Sequence, residues 1–228
     1  MYKELSLELE TVTPTIRLVN TSWVGHLQHA CAALKAAGEL HGTDGIRALV
    51  ARLRRTRPLT YQHCVRAARC SRRIGRTLGF DDARLKQVAS TAMMHDIGKI
   101  LVPEYILSRP RRPTRFERFV LNLHPNFGAL LASYFNLTPE LRIRTQHHHE
   151  RWDGRGYPHR LGGKDIPLMA RIVQVADSFD AMMDSRGYNS PRTLEDAAGE
   201  LRRESGKQFD PLVIEAFLDT LSEGRRSQ

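Results

Sequence analysis

Apolar residues recur at intervals of three and four along nearly the whole of this sequence, and that periodicity is the signature of helices. Leu85, Val88, Ala89, Ala92 and Met93 follow the i, i+3, i+4, i+7, i+8 spacing of a buried helix face. Asp81 or Asp82 stands where an N-cap would close the first turn. Phe116, Phe119, Val120, Leu123, Phe127, Leu130, Leu131 and Tyr134 prolong such a stripe over a longer segment that contains Pro125. A proline inside a helix removes a hydrogen bond and crowds the turn before it, so the segment either bends or splits there. Ile172, Val175, Ala176, Phe179 and Met183 give another face. Asp210 followed by Pro211 has the form of a cap and a first helical residue, ahead of Leu212, Val213, Ala216 and Phe217 packing inward. No alternating strand pattern or hairpin turn signal interrupts this, so the spacing predicts an all-α chain.

Two segments break the helical pattern. Residues 100–114 hold Pro103, Pro110 and Pro113, and residues 151–167 carry Gly154, Gly156, Pro158, Gly162 and Gly163. Long loops in a helical domain tend to carry function. A basic run from Arg52 to Arg57 ends at Pro58, which places a boundary between a short helical N-terminal extension, 1–57, and a main domain, 58–228. Trp23, Leu27 and Leu34 line a stripe of the extension that suits packing on the core or on the second subunit of a homodimer. A chain of 228 residues supplies one full core and an appendage.

The net charge of +10 suits an anionic partner, whether nucleic acid, a membrane surface or a small substrate. The arginines are dispersed, however, and no Lys/Arg block with interleaved aromatics marks a face for a nucleic-acid polymer. No apolar run approaches the roughly 20 residues that span a bilayer, and the first ten residues lack the apolar stretch of a secretion signal. The expectation is a cytoplasmic protein without a membrane span. Cys31, Cys64 and Cys70 show no C-x-x-C spacing, and Cys64 reads as a buried free thiol.

The histidines are unevenly grouped. His95 and Asp96 sit together where an apolar helix ends, followed by Gly98 and Lys99, and His147, His148 and His149 precede Glu150 just before the glycine-rich loop. His63, His124 and Asp177 lie within helical stretches. Singly, none of these is diagnostic: a lone histidine is usually a surface or satisfied core residue. Imidazole and carboxylate together suit iron, manganese, zinc or nickel, and the lack of clustered cysteine argues against a structural zinc knot. A carboxylate held between histidines, as Asp96 would be, can bridge two ions a few ångströms apart, the arrangement used to cut phosphodiesters.

The segment from Met94 to Ile100, MHDIGKI, resembles the signature of the HD superfamily of metal phosphohydrolases. The segment from His148 to Pro158, HHERWDGRGYP, resembles the longer signature of its HD-GYP branch, and the similarity runs on through Ala170–Ile172, Ala176-Asp177, Asp180–Met182 and Phe209–Pro211. The resemblance implies an HD-superfamily helical bundle with a long GYP loop. It implies two divalent ions, iron or manganese: His63, His95, Asp96 and Asp177 would hold one, His124, His148 and His149 the other, with Asp96 as bridge. Lys99 would meet the scissile phosphate, and Arg186, Gly156, Tyr157 and Pro158 would handle substrate, while His147 falls outside the pattern. Some members of the family carry a glutamate one turn before the first histidine that supports a third ion; Leu59 stands there. The family's Arg-Pro-Tyr followed by a basic residue is replaced by Arg186-Gly187-Tyr188-Asn189, which removes a positive charge.

The implied activity is hydrolysis of cyclic di-GMP to linear pGpG, with a second cut to GMP permitted. Diguanylate cyclase (GGDEF) domains are the implied protein partners. Two other readings compete: an HD phosphohydrolase of another cyclic dinucleotide or nucleotide, and a receptor or scaffold that binds without cutting. All seven ligand positions are filled, which disfavours the receptor as the sole role.

Overall fold

The computed structural model describes residues 42–108, 111–184 and 192–226. The chain divides between Gly38 and Glu39, and every described residue lies on the C-terminal side of that division. Ten α-helices make up most of it: α1 (Gly42–Thr56), α2 (Pro58–Thr77), α3 (Asp82–Met94), α4 (Glu104–Leu107), α5 (Arg115–Leu121), α6 (His124–Tyr134), α7 (Pro139–Gln146), α8 (Leu168–Met183), α9 (Leu194–Arg203) and α10 (Pro211–Arg226). Short 3-10 helices cover Ile97–Leu101 and Gly163–Asp165. Among the described residues no strand forms; Ser205 and Phe209 make an isolated bridge. The all-α expectation therefore holds. Of the expected extension 1–57, residues 1–41 lie outside the described residues. Helix α1 falls within the C-terminal unit and packs on α2.

Local chemistry starts these helices where the sequence suggests. The Asp81 carboxylate accepts the Arg84 amide at 2.8 Å and opens α3. Thr114 and Glu117 form a reciprocal capping box at the start of α5. Asp210 accepts the Leu212 amide at 2.9 Å and Pro211 follows it as the first residue of α10.

Pro125 splits the long aromatic segment. Helix α5 ends at Leu121 and α6 begins at His124, with the proline in its first turn. In a continuous helix the Pro125 ring would strike the carbonyl of Leu121, four residues earlier, and leave it without its donor. The break turns α5 away from the face of α6, so the single stripe becomes two short ones. Phe127 and Leu131 are buried, but Phe116 and Phe119 are exposed, contrary to expectation. Leu212 and Met183 are exposed as well, because each sits at a helix end, Leu212 second in α10 and Met183 last in α8.

The core lies where α2, α3, α8 and α10 meet. Ile74, Val88, Ala92, Ile172, Val175, Val213 and Phe217 are nearly or fully buried there, each large aliphatic side chain contributing about 1.5–3 kcal/mol. On the other side of α3, α6 packs on the 3-10 helix Ile97–Leu101 and on α7. That contact is tight enough to require glycine at 98. A Cβ there would stand 1.9 Å from the His124 carbonyl oxygen and 2.6 Å from the Gly128 amide nitrogen. The two packing layers share the end of α3, where His95 and Asp96 sit.

Candidate metal centre

Five elements each bring part of the site. His63 comes from α2, His95 and Asp96 from the turn that ends α3, His124 from the first position of α6, His148 and His149 from the turn after α7, and Asp177 from α8. These are the seven residues expected to hold metal, and the fold gathers them all. Their ligating atoms fall into two sets, His63 with His95 and Asp177, and His124 with His148 and His149, each within 4.8 Å of one another. Asp96 stands between the sets. Its Oδ2 lies 3.9 Å from His63 Nε2 and 3.5 Å from His95 Nε2, whereas its Oδ1 lies 3.3 Å from His124 Nε2. In the first set, Asp177 Oδ1 is 2.9 Å from His63 Nε2 and 3.9 Å from His95 Nε2.

The imidazoles are aimed by the atoms behind them. His95 Nδ1 donates to the Ala92 carbonyl, His124 Nδ1 to that of Leu121 and His148 Nδ1 to that of Thr145, each at 2.7 Å. The Leu121 carbonyl is the one that Pro125 denies a helical partner, so the proline that splits the segment also frees the acceptor that orients His124. His63 Nδ1 donates to Asp180 Oδ2 at 2.6 Å, and Arg66 holds both oxygens of Asp180, at 2.6 and 2.9 Å. A carbonyl or carboxylate behind Nδ1 fixes the proton there and leaves the Nε2 lone pair facing the centre.

Buried Nε2 atoms of His63 and His95 have no partner in hydrogen-bond geometry; the Asp177 oxygen near His63 lies off the donor direction. An orphaned buried nitrogen is costly in a folded protein unless it binds something. Five imidazoles and two carboxylates converging there fit divalent transition-metal ions. Burial pushes His95 and His148 down, and takes His124 and His149 to about 3, so these rings are neutral and ready to ligate. Burial would raise Asp96, but Lys99 and the surrounding histidines hold it well below the usual carboxylate range. Burial also opposes the charge on His63, yet Asp177 and Asp180 beside it raise its pKa to about 9. Cys64, close to His95 and Asp96, is pushed up by burial and stays a thiol, as expected from its sequence position.

Lys99, half-buried, places its ammonium 2.6 Å from Asp96 Oδ2. The GYP loop folds back over the second set. A Cβ on Gly156 would stand 2.3 Å from the Arg151 amide nitrogen and 2.6 Å from the His149 carbonyl oxygen, so only glycine lets the loop lie against that backbone. Tyr157 then stacks on His149, with ring centroids 4.9 Å apart and planes inclined by 26°, and the Tyr157–Pro158 peptide is cis. Arg186 lies outside the described residues. Leu59 is 79% exposed on the surface of α2 and brings no ligand, and His147 turns to His159 instead of the centre.

Three supporting residues went unassigned in the sequence. Asp180 and Arg66 each stand three positions after a candidate ligand, Asp177 and His63, and that spacing on one helix face is the signal that could have found them. Glu150 uses both oxygens to accept the amides of His159 and Leu161, at 2.6 and 3.1 Å, and thereby clamps the loop. Nothing in its spacing announces those backbone partners.

Residues 48–213 match the HD domain family model. The chain is 40% identical over 162 residues to a cyclic di-GMP phosphodiesterase of Thermotoga maritima, an overlap of 70% of this chain and 44% of that protein. It is 33% identical over 162 residues to the 3'3'-cGAMP-specific phosphodiesterase 2 of Vibrio cholerae, covering 70% of this chain and 31% of the relative. The chain thus spans less than half the length of either relative. Among solved structures, the HD domain of the phosphodiesterase PgpH of L. monocytogenes superposes with a TM-score of 0.60 at 17% identity, over 78% of this chain and 97% of that one, a likeness of fold alone. With the family model covering most of the domain and the HHE…GYP segment laid over the histidine cluster, the chain belongs to the HD domain family, in its HD-GYP branch.

Proposed function

We propose that this domain is a metal-dependent phosphodiesterase that opens cyclic di-GMP to linear pGpG, with GMP as the product of a second cut. The observation that carries the proposal is the position of Asp96, one oxygen facing each histidine set. In this reading His63, His95, Asp96 and Asp177 hold one divalent ion, and His124, His148, His149 and Asp96 hold a second, both iron or manganese. Bound there, such a pair supplies a nucleophile at neutral pH and neutralises charge on the oxygens of an in-line displacement.

The chain's own groups do the rest. Lys99 keeps a positive charge at the Asp96 edge of the centre, where a phosphate oxygen gains charge as the bond breaks. Tyr157, already stacked on His149, borders the centre with a ring large enough to pack against a nucleobase. Gly156 and Pro158 hold that ring in place, and Arg186 takes a substrate phosphate. The net charge of +10 favours approach of a dianionic ligand. The names carried by the Thermotoga and Vibrio relatives support a cyclic dinucleotide as the substrate class. Contacts with GGDEF-domain proteins, homodimerisation and a cytoplasmic site of action belong to the same reading. No helix among the described residues is long and apolar enough to cross a membrane.

A second substrate is favoured by one observation. The Vibrio relative that covers as much of this chain as the Thermotoga one is named for 3'3'-cGAMP. The test is metal content of the purified protein together with chromatographic resolution of products from cyclic di-GMP, 3'3'-cGAMP and cyclic di-AMP. Faster release of pGpG than of products from the other two supports the proposal. Preference for 3'3'-cGAMP moves the assignment to that substrate, and bound metal without turnover of any of the three leaves a receptor.

A further inference from the structure

One cluster of ligating side chains shares no residue with the centre: His147, Glu150 and His159, whose ligand atoms all lie within 4.8 Å of one another. His147 follows the last residue of α7, Glu150 closes the turn after it, and His159 comes directly after the GYP segment. His147 and Glu150 are buried, while His159 opens to solvent.

Its internal geometry repeats that of the centre. His147 Nδ1 donates to the Ile143 carbonyl at 2.7 Å, which leaves the Nε2 lone pair directed outward, as it is in His95, His124 and His148. That Nε2 faces His159 Nδ1 at 3.0 Å. Metal–nitrogen bonds of about 2.0–2.1 Å in a tetrahedral zinc site put neighbouring ligand atoms about 3.3 Å apart, so the two imidazoles already stand near the required span. Each Glu150 oxygen accepts one backbone amide and keeps a further lone pair. Two histidines and a carboxylate, with water in the fourth position, are a common zinc donor set.

We propose that His147, Glu150 and His159 form an additional divalent-metal site, separate from the candidate phosphodiesterase centre, that takes a zinc-class ion. Its structural consequence is a cross-link. An ion held there ties the segment after Tyr157–Pro158 to the end of α7, beside His148 and His149, and so fixes the GYP loop to the turn that carries two of the three histidines of the second set. The alternative is an N–H···N hydrogen bond between the two imidazoles with no ion involved.

The two are separated by His159→Gln. His159 is solvent-exposed, so the substitution leaves the core intact, and the glutamine amide can still donate to His147 Nε2 while removing an imidazole ligand. Native protein and the variant are equilibrated with zinc, passed through gel filtration and assayed for total metal per chain. The proposal expects native protein to carry one zinc more than His159→Gln, and zinc to slow amide exchange of residues 157–161 in the native protein alone. Equal metal content in the two proteins overturns it, and the imidazole pair is then a hydrogen bond only.

Discussion

Gly98 offers a direct test of how the two packing layers set the centre. A methyl group there would stand 1.9 Å from the His124 carbonyl oxygen, against an ordinary contact of 3.4 Å or more, so Gly98→Ala demands that the two segments move well apart. The obstructing atoms are backbone, of His124 and Gly128, and cannot rotate aside as a side chain would. Overpacking of this kind costs about 1–3 kcal/mol and sometimes more. For a domain of this size that is a fall in Tm of roughly 2–12 °C. The larger consequence is local. His124 Nε2 lies 3.3 Å from Asp96 Oδ1, and metal–ligand distances tolerate only about 0.2 Å of error, so moving the start of α6 dismantles the second histidine set before the first. Thermal melting and metal content, measured together, read both effects. Gly128→Ala is the comparator, since the tightest contact of a Cβ there is the Thr145 methyl at 3.0 Å, with Ile97 and Gly98 at ordinary distances, and it should cost less on both measures. A Gly98→Ala protein with native Tm and native metal content would refute the reasoning.

Asp96→Ala should abolish metal retention and hydrolysis while circular dichroism stays helical; full activity in this variant would remove the bridging role. Asp180→Ala deprives His63 of the acceptor behind its Nδ1 and leaves Arg66 bonded to Asp184 alone, so metal affinity should fall about 10- to 100-fold with the fold preserved, a loss read by metal titration. Unchanged affinity would show that His63 needs no orienting partner. Arg111 and the Thr114 amide hold the Glu117 carboxyl at about 2, below its unfolded value, so the stability it confers is fully present above about pH 4.5 and fades as pH falls toward 2. Denaturation of Glu117→Gln beside native protein should therefore show a difference at pH 6 that closes on acidification, and a difference constant with pH would contradict the pairing.

The sequence made the helical class and the ligand set legible because both depend on patterns carried along one dimension. Leu85, Val88 and Ala92 announce a buried face by their spacing, and the HD and HHE…GYP strings point to candidate ligands by resemblance before any distance is known. What escaped was whatever depends on how elements meet. The exposure of Phe116 and Phe119 follows from α5 turning away at Pro125, and the sequence left bending and splitting equally open. Asp180 looked like one more polar residue on α8 until α2 docked beside it and brought His63 within 2.6 Å. The clamp by Glu150 rests on backbone amides nine and eleven residues ahead, and no side-chain pattern encodes which backbone donors a carboxylate will meet. Gly98 and Gly156 show the same limit: their need for glycine is created by a second segment pressing against them.

Three imidazoles of the centre take their aim from a carbonyl only three residues behind them. Direction is thus settled within a single turn of chain, whereas separation is settled by how whole helices dock. The two can vary independently. A chelated protein keeps its rings pointed inward and can be reloaded without refolding, unlike a zinc finger, whose ligands scatter when the ion leaves. Substitutions far from the centre that slide α6 or α8 by a fraction of an ångström would alter the gap between the two histidine sets while leaving every ring correctly turned. Such a design lets one set of ligands be tuned to different ions, or to different spacings of phosphate and nucleophile, by repacking the core alone.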